Sequence, residues 1–374
     1  MNIGINATVF RNPPAGVAKR LLALVNELKK HSDLSFTLFS PFRLKSSVLP
    51  GMRRIISPVP NELFWQKFIL PFQLRSERIT IFDSQWGGGL PIGIPFKPCK
   101  YLATFHDIIP LESPDSVSRY KQFVYKKKTQ ANITIADKIA VVSDYTKSRL
   151  WANFKIPLHK LVLSYNGIDD IYVQFEKRKK EEIKKKLAAQ WGIHSFIFYV
   201  GGFNKRKNVE SLIQAYNNLP KGAHAPVLML AGVQNSYYRR YIRPLVKKSI
   251  SRVICPGYIE ENILPEYYNA ASLLVYPSLY EGFGMPPTEA MACGCPVIAH
   301  NGSVMPETVG EGGLLVNTRD SGVLADAILE MLQNKKLALE KQDYADKIIK
   351  KYRWNVIAEN YRKMYDELAG HEKY

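Results

Sequence analysis

The sequence has few features that could anchor, cross-link or metallate the chain. Its 374 residues include four cysteines, at positions 99, 255, 293 and 295, and no two have the Cys-x-x-Cys spacing of a zinc or redox site. No apolar run approaches the roughly 18 residues needed to cross a bilayer. The opening stretch MNIGINATVF lacks a basic region followed by an apolar one. We therefore expect free thiols in a reducing cytoplasm and no secretory signal.

Two glycine-rich nucleotide motifs are also absent. The turn after the first apolar run, NPPAGVAKRLLALV (12–25), has no G-x-G-x-x-G fingerprint, and no strand is followed by a Walker loop, G-x4-G-K-[ST]. A small residue such as Gly16 would still let a diphosphate or an acceptor approach the backbone closely. A plain turn is the alternative for this segment.

Acidic residues are too few to balance the basic ones. The formal net charge is +19, and the larger share of the excess lies in the first 170 residues. This excess indicates an anionic partner, such as phospholipid headgroups, nucleic acid or an acidic glycan. General solubility is the alternative, and charge alone does not exclude it.

Short apolar runs alternate with helical periodicity in two series. The first series comprises 2–5, 35–40, 79–83, 101–107, 138–143 and 160–167, and the second comprises 196–202, 226–232, 252–258, 272–277, 296–300 and 312–316. Continuous apolar strands separated by helices indicate parallel sheets covered on both faces. The sequence therefore predicts an α/β chain of two doubly wound domains.

The predicted domain limits follow from the segments between and after the two series. We assign 1–170 to an N-terminal domain and 171–351 to a C-terminal domain. The highly charged stretch 176–191 is interpreted as an exposed linker plus the first helix of the second domain. The segment 352–368 is an amphipathic helix that can pack on either domain.

The loop YVGGFNKRKN (199–208) lies between a strand and a helix. Two glycines let the backbone approach a ligand, and Arg206 and Lys207 come just before the helix. Helix N-terminal N–H groups and two cations together form an anion site. The alternative is a solvated basic turn capped by Asn208.

The stretch EGFGMPPTEAMACGCPVI (281–298) places two carboxylates around a Gly-Pro turn. Backbone N–H groups at 282–284 can point at a ligand, and Glu281 can accept hydrogen bonds from vicinal sugar hydroxyls. Glu289, expected in the first helical turn, can accept from a ribose diol. The alternatives are an exposed loop acid for Glu281 and a favourable helix dipole for Glu289, worth about 0.3–1 kcal/mol. Neither alternative explains the glycines and both acids together.

A histidine ends one strand of the first series, in YLATFHD (101–107). We expect His106 to donate a hydrogen bond to a substrate hydroxyl or a charged oxygen. The alternative is a structural histidine beside Asp107, which would cap a turn.

Together, YVGGFNKRKN, EGFGMPPTEA, FHD and NGID (166–169) resemble the family 4 retaining glycosyltransferases of GT-B architecture. The resemblance covers nearly the whole chain, and Glu281-x7-Glu289 is its most specific part. It implies two Rossmann-like domains facing a deep cleft, with the C-terminal segment 352–374 crossing back to the N-terminal domain. It also implies that 1–170 binds the acceptor and 171–351 the nucleotide-sugar donor.

The resemblance implies roles for individual residues. Lys207 would neutralise the donor diphosphate, Glu281 would hold hydroxyls of the donor sugar, and His106 would lie near the transferred sugar. The family often has an arginine where this chain has Gly202, so we infer that Arg206 supplies the second cation. The catalytic candidates are His106, Arg206, Lys207 and Glu281. The donor-binding candidates are Gly16, Gly202, Arg206, Lys207, Tyr258, Glu281, Gly282, Phe283, Gly284 and Glu289, with Glu289 on the ribose and Tyr258 near the base.

The implied reaction moves a sugar from a nucleotide diphosphate to a hydroxyl of a glycan or lipid-linked glycan in cell-surface polysaccharide synthesis. Mannose from GDP-mannose is the first expectation, with UDP- and dTDP-sugars open. No metal and no other cofactor is expected, because the two cations can stabilise the leaving group and the chain has no Asp-x-Asp sequence. No carboxylate nucleophile for a double displacement is identifiable, so the resemblance favours same-face attack with retention.

Two segments of the N-terminal half mix aromatic and basic residues, as interfacial helices do. They are NELFWQKFILPFQLRSER (61–78) and RYKQFVYKKK (119–128). The sequence therefore predicts a cytoplasmic protein with a candidate peripheral contact at the inner face of the plasma membrane. Ordinary core packing of the apolar faces is the alternative.

Two other functions compete with sugar transfer. A nucleotide-sugar epimerase uses a similar two-domain fold, but the basic N-terminal half and the Arg-Lys-Asn loop disfavour it. Nucleic-acid binding would use the net charge but leaves the Glu-x7-Glu loop unexplained, so no nucleic-acid partner is expected.

Overall fold

The computed structural model describes residues 1–11, 16–93, 96–113, 117–220 and 225–370. The chain divides into two compact units. Residues 1–167 and the C-terminal segment from Tyr352 form the first unit, and residues 168–351 form the second. Each unit contains one parallel sheet with helices around it, so the predicted fold class is confirmed.

The first unit is built on a seven-stranded sheet in the order β3-β2-β1-β4-β5-β6-β7. Its strands are β1 (Asn2–Asn6), β2 (Ser35–Ser40), β3 (Arg53–Ile56), β4 (Ile81–Ser84), β5 (Lys100–Phe105), β6 (Lys138–Val141) and β7 (Leu161–Leu163). Six of these match predicted runs. The sequence did not predict β3, because its four residues include two arginines, a composition that suits the edge of a sheet.

The second unit is built on a six-stranded sheet in the order β10-β9-β8-β11-β12-β13. Its strands are β8 (Phe196–Val200), β9 (Val227–Ala231), β10 (Val253–Gly257), β11 (Leu273–Tyr276), β12 (Val297–His300) and β13 (Leu314–Val316). All six match the second predicted series. In both sheets the strand order reverses next to the first strand of the unit, between β1 and β4 and between β8 and β11, where open parallel sheets bind ligands.

Helices cover both faces of each sheet. In chain order they are α1 (Gly16–Leu28), α2 (Glu62–Phe64), α3 (Leu70–Ser76), α4 (Ile109–Glu112), α5 (Arg119–Ile135), α6 (Asp144–Phe154), α7 (Lys177–Trp191), α8 (Val209–Asn217), α9 (Arg243–Lys248), α10 (Leu264–Ala270), α11 (Met285–Ala292), α12 (Met305–Thr308), α13 (Ser321–Gln333), α14 (Lys335–Ile349) and α15 (Trp354–Ala369). Side chains of Ser118, Ser143, Asp320 and Asn334 cap the starts of four of them.

The charged stretch 176–191 differs from its prediction. Lys177–Trp191 forms one continuous helix, α7, in which Ile183 and Leu187 are buried. The linker part of the interpretation is therefore wrong. Two apolar residues one turn apart give this lysine-rich segment a face that packs, and the remaining positions carry the charge.

The first sheet separates two apolar cores. Consecutive residues of β4 show this, since Ile81 packs in the core with α1 and α15, whereas Phe82 packs in the core with α3, α5 and α6. The C-terminal helix α15 thus belongs to the first unit, as the resemblance implied. Trp354 at its start lies against Gly167, whose position leaves no space for a Cβ atom.

The segment Glu62–Ser76 is a helix interrupted before a proline. A π-helical turn, Trp65–Ile69, joins α2 to α3, and Pro71 lies in the first turn of α3. Proline has no N–H to continue the helical hydrogen bonds, so a widened turn before it relieves the conflict. No helix in the described parts of the chain is long and apolar enough to span a bilayer.

Replacement of Trp354 by alanine should destabilise the first unit strongly. The side chain is 8% exposed and packs between α15 and the sheet, so its loss should cost about 3–5 kcal/mol in the free energy of unfolding, measured with urea. Val356→Ala, on the same helix but 39% exposed, is the control and should change stability by about 0.5 kcal/mol or less. Equal losses for the two variants would contradict the assigned packing of α15.

Candidate active site

Two loops of the second unit meet at the carboxyl ends of neighbouring strands. The loop after β8 contains a 3-10 turn, Lys205–Lys207, and the loop after β11 runs from 277 to 284. Strands β8 and β11 pair directly, and the backbone N–H of Leu279 donates to the carbonyl of Arg206 at 2.9 Å. Adjacent strands thus bring together segments that are about 70 residues apart in sequence.

One carboxylate oxygen gathers the charged and polar groups of these loops. Glu281 Oε1 lies 2.6 Å from Lys207 Nζ and 2.6 Å from an Arg206 guanidinium nitrogen. It also accepts from the hydroxyls of Ser278 at 2.5 Å and Tyr276 at 3.1 Å. Two cations, an acid and two hydroxyls therefore form one cluster, which we call the Glu281 cluster.

The other carboxylate oxygen, Oε2, has no hydrogen bond to any residue that the structure describes. Lys207 Nζ uses two of its three protons, one toward Glu281 and one toward the Tyr276 hydroxyl at 2.5 Å. The cluster therefore keeps one strong acceptor and one ammonium donor for a ligand. A sugar diol and a phosphate oxygen are the matching groups.

The cluster carries a net positive charge. Burial opposes ionisation of Glu281, but Lys207 and Arg206 outweigh it and lower the pKa of Glu281 to about 2. Burial lowers the pKa of Lys207 from its usual value, and the charge of Glu281 opposes that change. With Glu281 ionised and both cations protonated, one positive charge is left for an anionic ligand.

Short polar contacts hold both loops in place. The Asn204 side chain caps the 3-10 turn by accepting from the Lys207 N–H at 3.2 Å, and Asn208 donates to the Thr318 carbonyl at 2.8 Å. The Ser303 hydroxyl holds the main chain of Glu281. It accepts from the Glu281 N–H and donates to the Glu281 carbonyl, each at 3.0 Å. Lys207 is only 8% exposed, so the alternative of a solvated basic turn does not apply.

The turn before α11 requires glycine at position 284. Gly284 has φ of 86°, and a Cβ atom there would lie 2.6 Å from Met305 Cε. Gly282 and Phe283 are buried beside it, on the stretch that leads from Glu281 to α11. The predicted Gly-Pro turn is therefore present, with Gly284 as its left-handed residue.

Glu289 lies deeper in its helix than predicted. Helix α11 begins at Met285, so Glu289 is in the second turn and the expectation of a first-turn acid is wrong. The side chain is 8% exposed, and Oε2 accepts from the Tyr268 hydroxyl at 2.8 Å. Dipole complementarity at the helix start therefore does not account for this carboxylate.

The remaining donor-side candidates are accessible. Gly202 is exposed, with open space where a side chain would extend. Tyr258 is 64% exposed just after β10, two strands from β8. Gly16 begins α1 in the first unit and is also exposed with open space around it. Residues 12–15, the rest of that predicted turn, lie outside the described residues.

His106 follows β5 in the first unit and differs from its prediction. Its Nε2 lies 2.9 Å from the carbonyl oxygen of Gln85. A carbonyl oxygen only accepts, so Nε2 carries the proton and Nδ1 keeps its lone pair. Burial and the charge of Arg20 lower the pKa of His106 to about 3, although the hydrogen bond to Gln85 opposes this. The ring is therefore neutral, and its second nitrogen is an acceptor rather than the expected donor.

Sequence reasoning missed the side chains that surround these candidates. Ser278 and Tyr276 complete the Glu281 cluster, Ser303 holds the main chain of Glu281, and the Gln85 carbonyl accepts from His106. One signal was available, since polar residues follow β4 as they follow β8 and β11. The contacts themselves depend on which strands are neighbours in the sheet. The residue patterns did not specify that strand order.

Comparisons with known proteins match each of the two units to a glycosyltransferase family model. The model described as "Glycosyl transferases group 1" matches residues 177–351, and the one described as "Glycosyltransferase Family 4" matches residues 14–171. A solved sucrose-phosphate synthase from Thermosynechococcus elongatus is similar in fold, with a TM-score of 0.76 at 23% identity and complete coverage of both chains.

Two curated relatives are named O-antigen chain mannosyltransferases. O-antigen chain mannosyltransferase B of Escherichia coli is 28% identical over 243 residues, which are 64% of this chain and 63% of that protein. O-antigen chain mannosyltransferase RfbU of Salmonella typhimurium is 29% identical over 235 residues, which are 62% of this chain and 60% of that protein. The alignments thus span somewhat less than two thirds of these relatives.

The depressed pKa of His106 predicts a pH dependence of stability. Between the folded value of about 3 and the ordinary value near 6.5, the unfolded chain binds more protons at this site, so stability falls as the pH falls. From pH 7.5 to 5.5, the wild type should lose on the order of 1 kcal/mol more than His106→Asn in urea unfolding. Parallel losses in the two proteins would contradict a neutral, half-buried His106.

Proposed function

Because the chain belongs to the family 4 glycosyltransferases, we propose that it transfers mannose from GDP-mannose to a hydroxyl of a growing cell-surface glycan, with retention at the anomeric carbon. The acceptor is a glycan or a lipid-linked glycan. UDP- and dTDP-sugars are the alternative donors.

The observation that carries this proposal is the difference between the two carboxylate oxygens of Glu281. Its Oε1 holds both cations, and its Oε2 has no hydrogen bond among the described residues. An oxygen with free lone pairs beside two cations suits a sugar hydroxyl next to a diphosphate. In a nucleic-acid-binding protein, this pairing has no evident use.

The cations would act on the leaving group. Breaking the bond between the anomeric carbon and the phosphate oxygen places negative charge on the departing diphosphate, and Lys207 and Arg206 stabilise that charge as it develops. Both are already held by Glu281, so little reorganisation is needed during the reaction. The leaving phosphate then takes the proton of the acceptor hydroxyl, which attacks from the same face.

The choice of sugar rests on the relatives, two of which are named as O-antigen chain mannosyltransferases. Gly202 and Tyr258 lie at the ends of strands on the donor side and are accessible to the diphosphate and the base. Backbone groups after β10 would hold the base.

We propose that the reaction needs no metal or other cofactor. Among the residues that the structure describes, no three His, Cys, Asp or Glu side chains are grouped to hold a metal ion. The two cations supply the charge that Mg²⁺ supplies in other transferases. Turnover that persists in excess EDTA is the expected result, and loss of turnover restored by Mg²⁺ or Mn²⁺ would contradict it.

Removal of the cations should lower turnover strongly without unfolding the protein. Lys207→Met and the double variant Arg206→Met/Lys207→Met should lower kcat by about 10²–10³-fold, because transition-state charge is left uncompensated. Lys205→Met, in the same 3-10 turn but exposed, is the matched control and should keep near-normal turnover. Near-normal turnover in the double variant would refute the assigned role.

A nucleotide panel tests the donor. GDP should raise the melting temperature more than UDP, dTDP or ADP, because ligands that bind only the folded state stabilise it by mass action. GDP-mannose should then be consumed faster when an acceptor glycan is present. Donor conversion that is complete without an acceptor would favour an epimerase or a hydrolase.

We also propose that the first unit contacts an anionic membrane surface. Along Glu62–Ser76, Trp65 and Leu74 are buried, whereas the opposite face exposes Leu63, Phe64, Phe68 and Phe72, each by 45–60%. Lys67 lies over the Phe68 ring at 5.2 Å. The sequence had left core packing open as the alternative, and these four exposed side chains are not core.

Helix α5 also exposes aromatic side chains between basic ones. Tyr120 and Phe123 are exposed, and Lys127 lies over the Phe123 ring at 5.7 Å. The cations of its first turns are Arg119, Lys121, Lys126, Lys127 and Lys128. Exposed aromatic rings between cations match the interfacial region of a bilayer with anionic lipids.

Vesicle sedimentation tests this contact. The protein should pellet with anionic vesicles at low salt and much less at high salt, because screening weakens the attraction. The triple variant Phe64→Ser/Phe68→Ser/Phe72→Ser should bind several-fold less. The control Trp151→Ser/Leu158→Ser/Ile250→Ser removes three apolar side chains that are exposed elsewhere and should bind normally. Absence of wild-type protein from the pellet at low salt would end the proposal.

A further inference from the structure

A buried polar network in the first unit lies behind His106, and the proposed chemistry does not use it. Arg20 on α1 is 3% exposed, and Asp83 and Gln85 at the end of β4 are fully buried. The C-terminal helix α15 contributes Tyr361 and Tyr365. A buried arginine and a buried aspartate are costly unless their hydrogen bonds are satisfied.

Gln85 is the centre of the network, and each end of its amide has a different partner. The amide nitrogen donates to both oxygens of Asp83, at 2.9 and 2.8 Å, and to the Tyr361 hydroxyl at 2.7 Å. The amide oxygen accepts from the guanidinium of Arg20. A flipped amide would place its oxygen against a carboxylate and its nitrogen against a cation. The side chain therefore has one stable orientation.

The partners of Gln85 are themselves held. Arg20 Nε donates to the Asn166 side chain at 2.8 Å, and its Nη2 donates to the Ser164 hydroxyl at 3.2 Å. Tyr365 donates to Asp83 at 2.7 Å. The Tyr361 hydroxyl lies 2.6 Å from that of Thr104, two residues before His106. Side chains from five parts of the chain thus contribute to the network around one glutamine.

The main chain of Gln85 is hydrogen-bonded to His106. Its carbonyl oxygen lies 2.9 Å from His106 Nε2, which puts the imidazole proton on Nε2. His106 Nδ1 makes no hydrogen bond to any residue in the described part of the chain. A change in the Gln85 side chain would move this carbonyl and release the ring.

We propose that Gln85 is a positioning residue that fixes His106 in the Nε2–H tautomer, so that Nδ1 accepts a hydrogen bond from a substrate hydroxyl. This proposal rests on the proposed function for the identity of that hydroxyl, which belongs to the acceptor. His106 orients the hydroxyl and does not take its proton, because a neutral ring this resistant to protonation is a weak base. The proton goes to the departing phosphate.

The test begins with the tautomer itself, which requires no activity. Protein labelled with 15N-histidine contains seven histidines, and the His106 signals are identified by their absence in His106→Asn. The wild type should show a protonated Nε2 and an unprotonated Nδ1 from pH 6 to 8. A protonated Nδ1 in the wild type, in either a neutral or a cationic ring, would overturn the proposal.

The second step of the test removes the side-chain hydrogen bonds that hold Gln85. Gln85→Met keeps the side-chain length but removes the amide, and it should produce a mixture of tautomers and lower kcat on the order of tenfold. The KM for the donor should change less than twofold, since the diphosphate site lies in the other unit. If this variant does not fold, Tyr361→Phe takes its place, because it removes only one hydroxyl and should shift the tautomer ratio less.

The packing control is Met364→Leu, a buried position on the same helix outside the network. It should leave both the tautomer and kcat unchanged. An unaltered tautomer and kcat in a folded Gln85→Met protein would refute the positioning role. Failure of the proposed function has a different signature, in which His106 shows the expected tautomer but no nucleotide sugar is consumed.

Discussion

The candidate site of the second unit depends on one carboxylate oxygen that holds two cations. Without Glu281, Lys207 and Arg206 would repel each other in a largely buried place, and burial would favour a neutral lysine. With it, both stay charged and fixed while the cluster keeps a net positive charge. The other oxygen of the same residue has no hydrogen bond among the described residues, and the proposed function assigns it to a sugar hydroxyl. Charge retention and ligand recognition therefore share one side chain.

The strand order explains why these residues meet. Strands β8 and β11 are neighbours although two strands and several helices lie between them in sequence. Their carboxyl-end loops carry the cations and the acid, respectively, so pairing of the strands assembles the cluster. In the first unit, β4 and β5 bring Gln85 and His106 together in the same way. Each unit thus places its polar residues next to the point where the strand order reverses.

The two units handle buried charge differently. In the second unit the Glu281 cluster is partly accessible and carries a net positive charge, which suits an anionic ligand. In the first unit, Arg20 and Asp83 are buried and separated by the Gln85 amide, and every one of the three is hydrogen-bonded. A satisfied buried network of this kind favours rigidity over binding. This contrast is why we assign ligand binding to the Glu281 cluster and positioning to the Arg20 network.

The sequence by itself determined the fold class, twelve of the thirteen strands seen in the described residues and the loops that carry Lys207 and Glu281, because apolar periodicity and glycine placement are local properties. Tertiary structure decided the rest. Position 289 proved to be one turn deeper in its helix, since α11 begins only after Gly284. The acceptor character of His106 depends on a carbonyl 21 residues away, and the exposure of Phe68 depends on which helix face the sheet covers. Contacts between distant segments are set by strand pairing and packing, and no local pattern specifies them.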